Sequence, residues 1–448
     1  MFMTFILTSI HLVLSRGRIS YMYNYVEMLK LEGHEEGGYF ALFYKSSDKV
    51  LALNDRYKNN VEMEQHIERN SVSSIYFLLE KNGFSAWHRL TSDEIWHYYD
   101  GGSPIDIHVI NNNGKLTTYT LGNPGITENA AFQVVVKAGV WFAAEVRDKS
   151  SFGLVGCTVS PAFEYDDFEL AEKYRDQLIK QYPELITMIE KFIKPNVVQS
   201  NSKHIHDHNV ASHSNQLSAK DYIKKFQLER HQEGGYFCVI YKTKNIVVPL
   251  DPRYKNMVAT AAQIKQNALA QQRLAGTSIY FLLDKQDFAA WHRLNSDEIW
   301  HYYDGNSPID IHIIDRDGNL KTHILGNPRI TKDASFQVVI KAGDWFAAEV
   351  RDKSSFGLAG CTVSPGFEYS DFYLANRKTF ASQFPQHADI INKLTRITPM
   401  HSKLWPAKTT TMKYAVVALV SGFGLYSLLK RNGILSTCVS DLKSRLGI

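Results

Sequence analysis

The sequence predicts an all-β protein made of two copies of one domain, and two observations support this. Residues 75–110 and 279–314 match almost position for position, as do residues 132–165 and 336–369. Within each copy, short runs of β-forming residues alternate with turn residues, which is typical of a β-sandwich or barrel. The repeat period of about two hundred residues far exceeds the ~20–50 residues of solenoid repeats. Any functional site should therefore occur twice.

The individual strands are predicted from residue alternation and from the turns between them. Along residues 105–109, apolar and polar side chains alternate, as in a strand with one buried face. Residues 75–79 and 132–136 are apolar runs rich in β-formers. Turn residues cluster at four places in the first copy: residues 91–93, 101–104, 111–114 and 122–124.

Each copy ends in a segment with the apolar spacing of a helix. In the first copy this segment covers residues 168–194, where either Asp166 or Asp167 could cap the helix. Pro183 should divide the segment into two helices, because proline disrupts a helix interior.

The repeats divide the chain into four predicted segments. They are a first domain at residues 22–195, a linker at 196–219, a second domain at 220–397 and a tail at 398–448. The linker is rich in Asn, Ser and His, which favours a solvated connection. Its histidines could also chelate a metal, but they have no accompanying Cys or carboxylate frame, and the linker interpretation is preferred.

Composition excludes one class of function and indicates the redox environment. The 448 residues carry a net charge of +4 with scattered basic residues, which argues against a nucleic-acid-binding surface. The four cysteines form no CxxC pair. Cys157 and Cys361 occupy equivalent positions in separate domains, so buried free thiols in a reducing compartment are predicted.

Both ends of the chain contain apolar segments. Residues 2–14 lack the preceding positive charge of a secretory signal, which favours an amphipathic or poorly ordered extension. Residues 414–429 are apolar on nearly all sides and are flanked by Lys413 and Lys430. A helix of this length spans only ~24 Å, against the ~30 Å hydrocarbon core of a bilayer. Docking on the β domains is the alternative, but a tail anchor on the cytoplasmic face of a membrane is favoured.

The candidate chemistry is concentrated in the motif that begins at Trp87. Alternate residues of a strand share a face, so His88 and three residues of the next strand should point into one concavity. Those three residues are Glu94, Trp96 and Tyr98. The second copy supplies the same set: His292, Glu298, Trp300 and Tyr302. His97 and Tyr99 should face the other way.

The spacing of His88, Glu94 and Gly101 resembles the first cupin motif, and KAGVWF at residues 137–142 resembles the second. With GGYF, SSIYFLL, WHRLTSDEIWHYYDG and GCTVSPAFEYDDFELA, the chain resembles a branch of the RmlC-like cupins long labelled a domain of unknown function. The resemblance covers both copies almost completely. It implies two double-stranded β-helix jelly rolls, each with a small-molecule pocket inside the barrel. Single-domain relatives are usually dimeric, so the two halves should form an internal pseudo-dimer.

The chain departs from the metal-binding cupin pattern at two of four ligand positions. His88 and Glu94 match that pattern, whereas Leu90 and Phe142 stand where histidines are normal. In the second copy, Leu294 and Phe346 occupy the same positions. An open metal site normally needs three protein ligands. We therefore expect neither a tightly bound transition metal nor another cofactor, unless His108 points inward and substitutes.

Without a metal, His88 and Glu94 form a candidate acid–base pair tuned toward neutral pH. RmlC-type sugar epimerases transfer protons with a histidine and a tyrosine in a barrel of this type, and Tyr98 or Tyr39 could supply the phenol here. The alternative is a buried pair with Tyr98 as packing. The expected ligand contacts are Tyr39, Trp96 and Phe142 and, in the second copy, Tyr236, Trp300 and Phe346.

These observations leave three functional hypotheses open. The leading one is a small-molecule-binding bicupin with metal-free isomerase or epimerase chemistry on a carbohydrate-like ligand. The second is a non-catalytic ligand sensor or storage-type cupin tethered to a membrane, and the third is a metal-dependent cupin enzyme. In relatives an arginine often follows GGYF, but Ala41 and Cys238 stand there in this chain. Their presence weakens the case for a phosphorylated ligand.

Overall fold

The computed structural model describes residues 25–53, 67–193, 217–254 and 272–396. The strands of the first domain are β1 (Glu32–Gly33), β2 (Tyr39–Lys45), β3 (Lys49–Ala52), β4 (Ile67–Asn70), β5 (Ser73–Glu80), β6 (Phe84–Leu90), β7 (Asp93–Gly101), β8 (Ile105–Ile110), β9 (Leu116–Leu121), β10 (Gln133–Val136), β11 (Trp141–Val146), β12 (Phe152–Ser160) and β13 (Phe168–Leu170).

The second domain repeats this order. Its strands are β14 (Glu229–Arg230), β15 (Tyr236–Lys242), β16 (Ile246–Pro249), β17 (Arg273–Leu274), β18 (Thr277–Asp284), β19 (Phe288–Leu294), β20 (Asp297–Asp304), β21 (Ile309–Ile314), β22 (Leu320–Leu325), β23 (Ala334–Ser335), β24 (Gln337–Ile340), β25 (Trp345–Val350), β26 (Phe356–Ser364) and β27 (Phe372–Leu374). The helices are α1 (Tyr25–Leu29), α2 (Arg175–Gln181), α3 (Ile186–Lys191), α4 (Ala219–Lys225), α5 (Arg377–Gln383) and α6 (Ala388–Lys393).

Each domain consists of two facing sheets, which confirms the prediction of tandem jelly rolls. In the first domain the strand orders are β1-β2-β5-β12-β7-β10 and β13-β6-β11-β8-β9. Neighbouring named strands pair antiparallel, as in the long ladder between β12 and β5. Side chains from the two inner faces form the core, where Phe77, Trp96 and Phe142 are almost fully buried. Burial of each such ring stabilises the fold by about 2–3 kcal/mol.

The segment at residues 168–194 corrects one prediction and confirms another. Its first residues are not helical: Phe168–Leu170 forms β13, whose Leu170 pairs with His88 of β6. The exposed edge of β6 needs backbone partners, and this requirement overrides the helical spacing. Asp167 does not cap a helix, because its carboxylate accepts hydrogen bonds from Arg69. Pro183 divides α2 from α3 as predicted.

Helices α2 and α3 cover the outer face of the second sheet. The indole of Trp87 donates a hydrogen bond to the carbonyl of Met188 at 3.0 Å. Trp87 packs there with Leu178, Ile189 and Phe192 in one buried cluster. Alternate residues of β6 therefore point to opposite faces of the sheet. Trp87 packs against the helices outside the barrel, while His88 points into the barrel.

The two domains form an internal pair with a continuous buried interface. His97 and Tyr99 face away from the barrel interior, as predicted, and the imidazole of His97 stacks on that of His301 with ring centroids 3.6 Å apart. The Nδ1 atoms of these histidines contact the hydroxyls of Tyr303 and Tyr99, at 2.7 and 2.8 Å. Strand β3 of the first domain also pairs antiparallel with β16 of the second.

Three of the predicted segments fall wholly or largely outside the described residues. They are the apolar runs at residues 2–14 and 414–429 and most of the linker at 196–219. Within the described ranges, no helix is both long and apolar enough to cross a membrane.

Candidate functional site

A cavity of about 230 Å³ opens into the first barrel. Its inner end is polar and its walls are apolar. The polar residues are His34, Glu36, His88, Glu94 and Cys157; the walls include Phe40, Ile75, Phe77, Leu90, Val159, Phe163 and Phe168; and Leu42, Lys45, Ser73, Glu164 and Tyr165 complete the lining. Leu42 and Tyr165 are 60% and 56% exposed, so the cavity is bordered by accessible apolar surface.

Three strands and one turn bring the polar groups together. His88 comes from β6, Glu94 from β7 and Cys157 from β12, and all three face inward because they occupy inward positions of their strands. Glu36 comes from the turn between β1 and β2. Gly37 and Gly38 in this turn adopt positive φ angles of 102° and 71°, which glycine tolerates best. A side chain at Gly38 would meet the carbonyl of Leu78 at 2.8 Å.

The acid partner of His88 is Glu36, not the predicted Glu94. The Nε2 atom of His88 lies 3.3 Å from Oε2 of Glu36, while its Nδ1 lies 2.7 Å from the carbonyl of Ala86. A carbonyl only accepts, so Nδ1 carries the hydrogen and Nε2 presents its lone pair. The hydroxyl of Ser85 donates to the other oxygen of Glu36 at 2.9 Å.

Burial keeps both histidines unprotonated at neutral pH and leaves Glu94 close to half protonated. It lowers the pKa of His88 to about 3 and that of His34 to about 4. It also raises the pKa of Glu94 to about 7. The pKa of Glu36 is raised by burial and by the nearby Glu94. Glu36 therefore carries the proton that its contact with the unprotonated Nε2 of His88 requires.

Glu94 lies in the same cavity with partners of its own. Its Oε2 accepts a hydrogen bond from the indole of Trp96 at 2.9 Å. The thiol of Cys157 is hydrogen-bonded to the same carboxyl group, and burial together with Glu94 and Glu36 raises the pKa of this thiol. Cys157 is therefore a neutral thiol, as predicted, and not an activated nucleophile.

The predicted phenols Tyr98 and Tyr302 lie outside the cavities. The hydroxyl of Tyr98 donates to the carbonyls of Gly101 and Ser103 at 3.0 and 3.2 Å, and Tyr302 makes the equivalent bond to Gly305. Tyr98 faces inward, but it follows Glu94 by four residues, which is about 13 Å along a strand. It packs in the core at the far end of the barrel.

Tyr39 and Tyr236 were predicted to contact the ligand, but neither lines a cavity. The residue next to Tyr39 that lines the first cavity is Phe40, and the residue next to Tyr236 that lines the second is Phe237. Because neighbouring strand residues face opposite ways, Tyr39 must lie on the other face, where it packs against the core of the second domain. A shift of one position reverses the assignment.

The predicted aromatic contacts Trp96 and Phe142 lie behind the lining of the cavity. The Phe142 ring packs on His88 with centroids 3.9 Å apart, while Trp96 holds Glu94. In the second barrel, Phe346 packs on His292 at the same 3.9 Å, and Trp300 is buried beside Phe281. These rings support the polar residues and do not line the cavity.

The second cavity contains the equivalent polar residues in a smaller volume of about 110 Å³. These residues are His231, Glu233, His292, Glu298 and Cys361. The Nε2 atom of His292 lies 3.2 Å from Oε2 of Glu233. Burial and then Glu233 raise the pKa of Glu298 to about 8. Burial opposes ionisation of Glu233, but His292, His231 and Arg396 outweigh it, and the pKa of Glu233 is lowered.

Glu36 and Glu233 were not among the predicted site residues. The signal was nevertheless present, because the turn reads HEEGG in one copy and HQEGG in the other. Of the two acidic positions, only that of Glu36 is acidic in both copies, and His34 and His231 also correspond. A duplicated chain supplies this comparison without any other sequence.

The residues present do not suit a metal ion of the usual cupin kind. Leu90 lines the cavity beside His88, and Phe142 packs directly on its ring. Across the described part of the chain, no three His, Cys, Asp or Glu side chains are arranged to hold a metal. His108 does not substitute, because it contacts Thr118 and Glu145 away from the cavity. The expected lack of a bound metal stays a prediction, which elemental analysis would test.

Comparison with known proteins places both repeats in one family. A family model described as a cupin superfamily (DUF985) matches residues 23–171 and 220–375. A structural-genomics target from Shewanella oneidensis is 29% identical, with a TM-score of 0.33, over 40% of this chain and 99% of its own. A hypothetical protein from Leishmania major is 26% identical, with the same TM-score and coverage.

A two-barrel structure also matches. The oxalate decarboxylase of Bacillus subtilis aligns over 86% of this chain and 88% of its own, at 12% identity and a TM-score of 0.41. This similarity concerns the fold alone. Among curated proteins there is no match.

Proposed function

Since the chain belongs to the DUF985 family of the cupin superfamily, we propose that each barrel binds a small uncharged molecule and catalyses metal-free proton transfer on it. The reaction class is isomerisation or epimerisation next to a carbonyl group, with a carbohydrate-like compound as substrate. The observation that carries this proposal is the unprotonated Nε2 of His88, which lies beside Glu36 and Glu94 in an enclosed apolar cavity.

The proposed step assigns one role to each group. Nε2 of His88 accepts a proton from the carbon next to the carbonyl group, and the protonated carboxyl of Glu94 donates a proton to the carbonyl oxygen. For the isomer, His88 returns its proton to the former carbonyl carbon while the neighbouring hydroxyl gives its proton to Glu94. For the epimer, water donates a proton to the opposite face of the same carbon, Glu94 takes its proton back from the enol oxygen, and His88 releases its proton to water. A pKa of about 7 suits Glu94 to this role near neutral pH. At 3.3 Å, the contact between Glu36 and Nε2 is long for a hydrogen bond, so a substrate can compete for it.

The cavity also limits the substrate. The described lining contains one cation, Lys45, and its ammonium already pairs with Glu164 at 2.7 Å. The aromatic walls and the two carboxyl groups, Glu36 and Glu94, disfavour a phosphate group, because its charge would lack a cationic partner there. Ala41, in place of the arginine found in relatives, agrees with this limit.

The first experiment identifies the ligand and tests the chemistry. Native mass spectrometry of the purified full chain should reveal a co-purified small molecule. Incubation of that compound, or of a panel of neutral sugars, in deuterated water should place deuterium on a carbon next to the carbonyl group. The double variant His88→Gln with His292→Gln should abolish this exchange, while Tyr119→Phe, a change at an exposed tyrosine, should leave it unchanged.

A non-catalytic ligand-binding role is the second candidate. It is favoured by the exposed Leu42 and Tyr165 at the entrance, which suit recognition of a ligand more than turnover. If the protein retains a ligand but catalyses no deuterium exchange at any pH, the non-catalytic binding role is supported. Stoichiometric iron, manganese, zinc or nickel in the purified protein would instead favour a metal-dependent enzyme.

Membrane attachment through residues 414–429 is a separate proposal that rests on sequence alone. Deletion of residues 409–448 should move the protein from the membrane pellet to the soluble fraction without changing its melting temperature. A full-length protein that is entirely soluble, or a destabilised truncation, would contradict it.

A further inference from the structure

One buried carboxylate in each barrel is bound by side chains of the other barrel. Asp93 is the first residue of β7 and immediately precedes Glu94. Its Oδ1 accepts a hydrogen bond from the backbone N–H of Ala138, in its own barrel, at 2.7 Å. Its Oδ2 accepts hydrogen bonds from the hydroxyls of Tyr241 and of Thr243, the latter at 3.2 Å. Both donors belong to the second barrel.

The second barrel shows the same arrangement in reverse. Asp297 is the first residue of β20 and precedes Glu298. Its Oδ1 accepts from the backbone N–H of Ala342 at 2.8 Å. Its Oδ2 accepts from the hydroxyls of Tyr44 and of Ser46, the latter at 2.5 Å, and both residues belong to the first barrel. Two independent copies of the contact argue against an accident of packing.

Tyr44 and Tyr241 therefore each lie on a strand of one barrel and donate a hydrogen bond to the other barrel. Tyr44 lies on β2, the strand that supplies Phe40 and Leu42 to the first cavity, yet its hydroxyl reaches the strand that carries Glu298. Tyr241 lies on β15, which lines the second cavity, and reaches the strand that carries Glu94.

The contact matters because the carboxylates are buried. Asp93 and Asp297 are 6% and 3% exposed, and a buried carboxylate that loses a donor is strongly disfavoured. Lysine side chains flank both sites: the ammonium of Lys137 is 3.4 Å from Asp93, and that of Lys341 is 2.6 Å from the hydroxyl of Tyr44. Lys137 already donates to Oδ2 of Asp93 from a side chain that is 52% exposed, so loss of the Tyr241 hydroxyl leaves this carboxylate with fewer donors.

We propose that Tyr241 and Tyr44 are positioning residues that act across the domain interface, Tyr241 on the strand that presents Glu94 and Tyr44 on the strand that presents Glu298. The proposal rests on the role assigned above to these glutamates. Its consequence is that neither cavity is complete without the other barrel. Removal of a tyrosine hydroxyl should affect the cavity of the opposite barrel, although the tyrosine lies on a strand that lines its own.

The test uses the full chain with Tyr241→Phe or Tyr44→Phe and a readout that needs no substrate. Cys157 and Cys361 are hydrogen-bonded to Glu94 and Glu298, so each thiol reports on one glutamate. The titratable groups that share the cavity with Cys157 are His34, Glu36, His88 and Glu94, and Tyr99 also interacts with this thiol. Alkylation by iodoacetamide, followed by peptide mass spectrometry across neutral and alkaline pH, measures both thiols in one sample.

We expect Tyr241→Phe to change the alkylation rate of Cys157 by about threefold, equivalent to half a pKa unit, and to leave Cys361 unchanged. Tyr44→Phe should do the reverse. Glu94→Gln is the positive control for Cys157, and Tyr119→Phe is the negative control. A change confined to the barrel that contains the tyrosine, or no change in either thiol while Glu94→Gln responds, would overturn the proposal.

Hydrogen–deuterium exchange supplies the second measurement should the thiols prove unreactive. Tyr241→Phe should accelerate exchange at residues 93–98 and not at 297–302, and Tyr44→Phe should give the opposite pattern. Equal acceleration at both segments, or at neither, would count against action across the interface. Neither measurement involves turnover, so failure of the proposed chemistry and failure of this inference give separate results.

Discussion

The first cavity holds about 230 Å³ and the second about 110 Å³, although the same residue types occupy the five polar positions described above in both. The walls of the two cavities also differ. Ser73 of the first cavity corresponds to Thr277 of the second, and each hydroxyl accepts the same backbone hydrogen bond, at 3.0 Å. The extra methyl group of Thr277 lies against Gly366, where the first barrel has Ala162.

A second difference lies behind the acid–base pair. Ser85 donates a hydrogen bond to Glu36, whereas the equivalent residue of the second barrel is Ala289, which has no donor. Glu233 instead has Arg396 nearby, whose Nε donates to the backbone carbonyl of Glu233 at 3.0 Å. The comparison teaches that the two copies keep the reactive groups and vary both the space around them and the side chains that control their protonation.

The largest expected effect comes from removing one histidine at a time. His88→Gln should weaken ligand binding in the first cavity by tenfold or more, because a buried hydrogen-bonding group loses its partner, and should leave the second cavity unchanged. His292→Gln should do the opposite. Native mass spectrometry, which counts zero, one or two ligands per chain, measures both. Loss of both sites from one substitution would show that the cavities are not independent.

The buried glutamates should make the protein less stable as the pH rises. Glu94 and Glu298 have folded-state pKa values of about 7 and about 8, above the usual 4.5. Stability from a raised carboxyl pKa is complete below the unfolded value and is lost as pH rises through the folded value. Glu94→Gln and Glu298→Gln should therefore each stabilise the protein at alkaline pH, by about 2 kcal/mol or more, and have little effect in acid.

Thermal unfolding of the wild type and both variants at acid and alkaline pH measures this effect. Glu298→Gln should give the larger gain, since its pKa is higher. Equal effects of either substitution at both pH values would contradict the assignment of protonated carboxyls.

Exchange of the wall residues should change the ligand size that each cavity accepts. Ser73→Thr adds one methyl group to the wall of the first cavity, and Thr277→Ser removes one from the second. A methyl group that takes space from the ligand prevents burial of about one methylene of that ligand, which costs about 0.8 kcal/mol. A ligand that fills the first cavity should bind about fourfold less tightly after Ser73→Thr. If calorimetry shows the same affinity, the ligand does not reach this wall.

The smallest expected effect concerns the hydroxyl behind Glu36. Ser85 stabilises the ionised form of Glu36, so Ser85→Ala should raise the pKa of this carboxyl further. The pH profile of deuterium exchange in the first cavity should shift upward, while the profile of the second should not move. Ala289→Ser, the matched change, should shift the second profile downward. Identical pH profiles in the wild type and both variants would show that this hydroxyl does not influence the protonation of the glutamate.

Sequence patterns predicted the fold well because duplication, alternation and turn residues are local signals. They placed His88 and Glu94 correctly in one cavity, because the alternation of side chains along a strand is enough to show that both face inward. They failed for Tyr98, whose parity was right but whose distance along β7 was too great, and for Tyr39, whose parity was wrong. Glu36 was missed because its position depends on a glycine turn, which sequence periodicity does not describe.

Contacts between the barrels were the least predictable part. The hydroxyl of Tyr241 reaches Asp93 across 148 positions of sequence, and no local pattern encodes such a separation. The sequence predicted that His97 and Tyr99 point out of the barrel. It did not predict that His97 stacks on His301.

The strand pairing between β3 and β16 has a consequence for how the protein responds to dilution. Two separate barrels would associate by mass action and come apart as their concentration fell. In this chain the association is intramolecular, so its strength is set by the effective concentration that the covalent connection imposes. The paired state, and with it both cavities, should therefore persist at the lowest cellular abundance.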